Sequence, residues 1–145
     1  MPVLQESQIR INTADTATTK SEAMKEAADI LVETGAVTTD YLPAMIEREK
    51  SVSTYMGNFL AIPHGTNEAK DAIHSSALSF VRYDTPIDWD GNPVRFVVGI
   101  AGVNNEHLEI LSKIAIVFSD EDQVQALIDA PDSDAIFTIL SEVNE

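Results

Sequence analysis

GNFLAIPHGTNEAK, residues 57–70, sets apolar, rigid, flexible and reactive residues one after another in a single short stretch. Phe59, Leu60, Ala61 and Ile62 form an apolar run without helical spacing, the pattern of a buried strand. Pro63 has no N–H with which to continue a hydrogen-bond ladder, and Gly65 frees the backbone to turn. His64 lies between these two residues. A histidine at the mouth of a strand, on a loop, is placed to meet a partner or a substrate.

Upstream, Thr19 to Glu22 has capping-box spacing, and Ala23, Met24, Ala27, Ile30 and Leu31 recur at helical intervals until Gly35. A second helix, capped at Thr39 or Asp40, carries Leu42, Met45 and Ile46, tolerates Pro43 in its first turn, and ends near Arg48 to Lys50. Ser51 to Gly57 reads as a polar connection. Before all of these, Ile9, Arg10 and Ile11 alternate as a short edge strand would.

Downstream, ALSFVRY at 77–83 is a β-prone segment, and Ile87–Trp89 and Arg95–Ala101 flank Asp90, Gly91 and Asn92, the signature of a hairpin turned at Asp-Gly. The run FVVGIA at 96–101 is continuous rather than alternating, as in a central strand covered on both faces. Asn104 and Asn105 offer an N-cap for a helix with Leu108, Leu111, Ile114, Ala115 and Phe118 on one stripe. Two acidic helices, capped at Ser119 and Ser133 and separated by Pro131, complete the chain. Helices, then strands, then helices predict an α/β fold: a roughly five-stranded, mixed parallel and antiparallel sheet flanked by helices on both faces, in one domain over residues 1–145.

The 145 residues contain 24 acids, 9 lysines and arginines and no cysteine, with a net charge of −15. Binding to nucleic acid or anionic lipid would work against that field. No cysteine means no disulfide, no thiolate catalysis and no cysteine-ligated zinc. The longest apolar run, Phe96 to Val103, is too short for a bilayer, and the polar start at Gln5 to Gln8 is unlike a signal peptide, so a cytoplasmic protein without membrane insertion is expected. From Arg48 to Lys70 three basic residues (Arg48, Lys50, Lys70) face two acids (Glu49, Glu68), a local balance of +1 suited to an anionic group near His64.

A neutral imidazole presents a ring nitrogen that is nucleophilic near neutral pH and can accept a phosphoryl group. The charge gained needs donors, which a helix N-terminus near His107 and the planar fork of Arg48 could supply. A packing or hydrogen-bonding histidine, a structural His107 and a surface ion pair at Arg48 are the alternatives. His74 follows Ile73 in a polar connection and reads as incidental. No H-E-x-x-H spacing supports a metal site, and the glycine loops of nucleotide binding and the serine elbow of esterases are missing.

Four segments together, the capped helix at Thr19, IEREK at 46–50, AIPHGT at 61–66 and GIAGVNNEHL at 99–108, resemble the enzyme IIA (EIIA) component of the bacterial sugar phosphotransferase system, mannitol and fructose class. The resemblance covers essentially the whole chain, and the extension GTNEAK is closest to the mannitol branch. It implies a phosphocarrier, an enzyme working through a phosphohistidine: His64 phosphorylated at Nε2 (tele) by HPr, then passing the group to a cysteine of an EIIB or EIICB permease partner. It implies that His107 and Arg48 surround the phosphoryl group and that no metal or cofactor is needed. Nδ1–H of His64 is then expected to donate to a nearby acceptor. With no cysteine in the chain, EIIB and EIIC are expected on separate polypeptides. Met56 and Thr66 are expected at the rim of the partner face and Phe59 in the core. A regulatory phosphoprotein of the same fold, controlling partners by its phosphorylation state, is the alternative reading.

Overall fold

Thr19 begins the first helix in the manner its spacing predicts: its hydroxyl oxygen accepts the Glu22 N–H at 3.2 Å and donates to the Glu22 carboxylate at 3.1 Å. The computed structural model describes residues 4–12, 19–51, 53–65, 71–103 and 106–140. Helix α1 spans Lys20–Glu33 and buries Ala23, Met24, Ala27, Ala28, Ile30 and Leu31. Gly35, at φ 80°, ends it in the left-handed conformation.

The sheet has five strands, β1 (Ile9–Asn12), β2 (Tyr55–Gly57), β3 (Leu60–Ala61), β4 (Ala77–Trp89) and β5 (Asn92–Ala101), in the order β1-β4-β5-β3-β2. β1 runs parallel to β4, and β3 parallel to β5; β4 with β5 and β2 with β3 are antiparallel. The mixed sheet and the edge position of Ile9–Ile11 agree with the sequence reading. The hairpin turns at Asp90 (φ 54°) and Gly91 (φ 93°), two consecutive positive φ values that suit the twist of the flanking strands. Within β4 the ladder breaks between Arg82 and Ile87, where Pro86 has no N–H to give. Arg95 covers the gap by donating to the Tyr83 and Asp84 carbonyls, each at 3.3 Å.

One face of the sheet, with Val81, Ile87, Trp89, Val94 and Val97, packs on α1 and on α2 (Tyr41–Ser51). The other, with Leu78, Phe80, Phe96, Val98 and Ile100, packs on α3 (Glu106–Phe118), α4 (Glu121–Asp129) and α5 (Ser133–Leu140). Phe96 links strands and helix there, its ring centroid 5.7 Å from that of Phe80 and 5.4 Å from that of Phe118. Each such fully buried side chain contributes roughly 1.5–3 kcal/mol relative to exposure.

Several local expectations change. Tyr55–Gly57 is the edge strand β2 rather than part of a polar connection, and β3 begins only at Leu60, because Asn58 and Phe59 turn with φ of 51° and 66°. Phe59 is half-buried and uses its carbonyl to receive both Arg95 N–H and Phe96 N–H. Helix α4 is capped by Asp120, which accepts the Asp122 N–H, not by Ser119, whose hydroxyl donates to Ile116 at the end of α3. At α5 the Asp132 carboxylate receives the Ala135 N–H, so Ser133 is already helical. A carboxylate beside a serine takes the cap because the ionised group also meets the positive helix end. Neither Thr39 nor Asp40 caps α2 by its side chain among the described contacts; the Thr38 hydroxyl receives the Asp40 N–H there. Leu108 leaves the predicted stripe and is 59% exposed. The proposed cap at Asn104 and Asn105, and the residues Thr66, Glu68 and Lys70, lie outside the described residues.

Candidate functional site

Parallel pairing of β3 with β5 fixes where the reactive loop emerges. Leu60 pairs with Phe96 and Ala61 with Val97, and the register continues to an isolated bridge between His64 and Ile100. Both strands therefore end at the same edge of the sheet. Helix α3 starts there too, five residues after β5 ends, and His107 is its second residue. The carboxyl edge of neighbouring parallel strands, with a helix N-terminus beside it, is where open α/β sheets bind ligands. The His107 side chain lies outside the described residues; its backbone is at the helix start where the sequence put it.

His64 itself is half-buried. Its Nδ1 is 2.9 Å from the carbonyl oxygen of Ile62. A carbonyl can only accept, so this bond requires the proton on Nδ1 and makes Nε2 the nitrogen that carries the ring's in-plane electron pair when the ring is neutral. The expected local acceptor is thus identified as a main-chain oxygen two residues upstream.

The main chain around His64 is tied on both sides. Upstream, the Ile62 N–H donates to the Thr54 carbonyl at 3.1 Å, and Thr54 is pinned by the buried Glu49 carboxylate, which accepts both its N–H (2.9 Å) and its hydroxyl. Downstream, Ile100 N–H donates to the Pro63 carbonyl at 3.1 Å, and Gly65 N–H donates to the Tyr41 hydroxyl at 2.9 Å. The Tyr41 hydroxyl in turn donates to the Ile100 carbonyl at 2.6 Å.

Helix α2 provides both of these anchors, and Arg48 as well. Tyr41 and Arg48 are seven residues apart, close to two full turns, so they share one helical face. Arg48 is half-buried on the face that meets the His64 loop through Tyr41. Its neighbour Glu49 points the other way, into a cluster with Trp89 Nε1 at 3.2 Å and Lys20 Nζ at 3.2 Å; Lys20 also pairs with Asp90 at 2.6 Å and lies over the Trp89 ring. Burial would push the Glu49 carboxyl up, but the Thr54 hydrogen bonds and Lys20 outweigh it and hold the group below its ordinary value. Burial pulls Lys20 down, and its bonds to Asp90 and Glu49 reverse this and raise it. Glu49 is thereby engaged within the fold by Lys20, Thr54 and Trp89.

Sequence reasoning missed Tyr41 and Glu49. Tyr41 carried no local signal, and Glu49 entered only the local charge balance. Their partners, Ile100 and Trp89, are 59 and 40 positions away, beyond any local pattern. His74 is exposed in the bend after a short helical turn and lines a separate cavity of about 620 Å³ beside Glu33 and Gln8, away from the His64 loop. Met56 is exposed on β2. Among the described residues no cluster of three or more histidines and acids could hold a metal ion, and no helix is long and apolar enough to cross a membrane.

Residues 2–143 match the family model described as phosphoenolpyruvate-dependent sugar phosphotransferase system, EIIA 2. The chain is 51% identical over 129 residues to the mannitol-specific phosphotransferase enzyme IIA component of Halalkalibacterium halodurans, with 89% of each chain covered. It is 45% identical over 145 residues to the protein of that name from Bacillus subtilis, covering 99% of this chain and 100% of the other. The fold superposes on enzyme IIAMTL of Escherichia coli, solved in complex with phosphorylated enzyme IIBMTL, with a TM-score of 0.84, 32% identity and coverage of 94% and 95%. The chain belongs to the EIIA 2 family of the phosphoenolpyruvate-dependent sugar phosphotransferase system.

Proposed function

We propose that His64 is the phosphoryl acceptor of a mannitol-class EIIA, receiving the group from phospho-HPr in the cytoplasm and delivering it to a cysteine of an EIIB partner. The observation that carries this reading is the Nδ1–H bond to the Ile62 carbonyl, which leaves Nε2 as the nucleophile. In the first step the Nε2 electron pair attacks phosphorus as the bond from phosphorus to the donor breaks. In the second, the partner's thiolate attacks and Nε2 leaves with its electron pair restored. The ring needs no proton shuttle in either direction, because Nδ1 keeps its proton on Ile62 throughout.

Phosphoryl transfer asks the protein for position and charge stabilisation. Arg48 supplies two parallel donors to phosphate oxygens, and the start of α3, with His107, supplies a positive helix end at the same sheet edge. The similarity to mannitol-specific relatives supports transport over a purely regulatory role and supports mannitol as the sugar. Residues 1–145 then act as one EIIA domain.

The test is passage of phosphate from the phosphorylated protein to isolated EIIB domains. Rapid transfer to a mannitol-class EIIB and slow transfer to a fructose-class EIIB is expected. Transfer to neither, with phosphate retained on His64, would favour the regulatory reading.

A further inference from the structure

A hydroxyl group joins the two main-chain groups at the bridge beside His64. His64 bridges Ile100, and Ile100 N–H already bonds the Pro63 carbonyl. The second bond of a parallel bridge at this register runs from Gly65 N–H to the Ile100 carbonyl. The Tyr41 hydroxyl engages both of those groups, accepting from Gly65 at 2.9 Å and donating to Ile100 at 2.6 Å.

We propose that Tyr41 is a positioning residue for phosphoryl transfer, setting the distance between His64 and the Arg48 face of α2 through the Gly65 N–H. The inference rests on His64 being the acceptor. Three observations support it independently of the family.

First, the ring is 2% exposed, and a buried hydroxyl is costly unless its bonds are made. A phenylalanine would fill the same space. The hydroxyl is explained by its two partners, which are the main-chain groups flanking the His64 bridge. Second, the loop lies against the ring with no room to spare: a Cβ at Gly65 would come 2.6 Å from Cε1 and 3.1 Å from Cζ of Tyr41. Glycine at 65 is therefore required by close approach, and the seat of the loop is the tyrosine itself. Third, Tyr41 and Arg48 stand on one face of a rigid helix, two turns apart, so any shift of the loop on Tyr41 shifts His64 against Arg48. Burial also raises the pKa of Tyr41 despite the Gly65 bond, so the hydroxyl keeps its proton and remains a donor to Ile100.

The test measures the rate of His64 phosphorylation by phospho-HPr as a function of donor concentration in wild type, Tyr41→Phe, Gly65→Ala and the double variant. Tyr41→Phe is expected to lower the rate at saturating donor about tenfold, with the donor KM unchanged and full phosphate occupancy still reached on long incubation. Gly65→Ala, which lifts the loop off the ring while keeping the hydroxyl, is expected to show the same loss in rate. The double variant should be no slower than the slower single variant, since both break one contact. If Tyr41→Phe does not fold, the Gly65→Ala rate decides alone: a wild-type rate there overturns the proposal. A wild-type rate in folded Tyr41→Phe, a loss confined to KM, or multiplicative losses in the double variant also overturn it. A wild-type protein that takes no phosphate overturns the assignment of His64 and the tyrosine with it, whereas wild-type transfer with an indifferent Tyr41→Phe removes the tyrosine alone.

Discussion

The Nδ1 of His64 lies 2.9 Å from the carbonyl oxygen of Ile62, so the main chain two residues upstream orients the ring. Nitrogen-15 NMR of the ring is expected to show the Nδ1–H tautomer in the neutral protein and a phosphorylation shift centred on Nε2. An Nε2–H tautomer, or phosphate on Nδ1, would contradict this orientation.

On the proposed reading Arg48 clamps the phosphoryl group, while its neighbour Glu49 is engaged by Thr54, Trp89 and Lys20. Arg48→Ala is expected to slow phosphoryl acceptance roughly 10²-fold, as loss of one preorganised donor set does elsewhere. Arg48→Lys should recover part of that, since it restores charge without the fork. The check is stopped-flow or quench measurement of transfer, alongside thermal melting that should change little.

Glu49 links α2 to Thr54, Trp89 and Lys20 from a buried position. Glu49→Gln is expected to cost about 2 kcal/mol at neutral pH, measured by urea unfolding. The folded-state value lies below the ordinary 4.5, so the charged group contributes stability above that pH and loses it as pH falls through the lower folded value. The gap between wild type and Glu49→Gln should therefore narrow in acid. A gap that widens as pH drops would contradict the ionised assignment.

Gly99 in β5 is where α1 touches the sheet: an added Cβ would stand 2.6 Å from the Ser79 hydroxyl and 3.1 Å from Ala27 Cβ. That hydroxyl also donates to the Ala27 carbonyl at 2.9 Å. Gly99→Ala is expected to destabilise by about 2 kcal/mol through overpacking, visible as a lowered melting temperature.

Much of this architecture was legible from period and punctuation. The α1 stripe, the Asp90–Gly91 hairpin and the continuous run at 96–101 each carry a strong local signal, and the structure forms all three. The position of His64 at a strand end was legible because Pro63 and Gly65 bracket it. What stayed hidden depends on contacts between distant residues. Tyr55–Gly57 becomes a strand only because β3 is there to pair with it. Phe59 takes a left-handed turn that no phenylalanine announces. Asp120 and Asp132 displace adjacent serines of similar capping preference. The roles of Tyr41 and Glu49 follow from partners reached across the sheet.

Intact-mass analysis after incubation with phosphoenolpyruvate, enzyme I and HPr, on wild type and His64→Ala, addresses the acceptor itself. The wild type is expected to gain one acid-labile phosphoryl group, and folded His64→Ala none. A phosphoryl group retained on His64→Ala, or absent from both proteins, would contradict the assignment of His64.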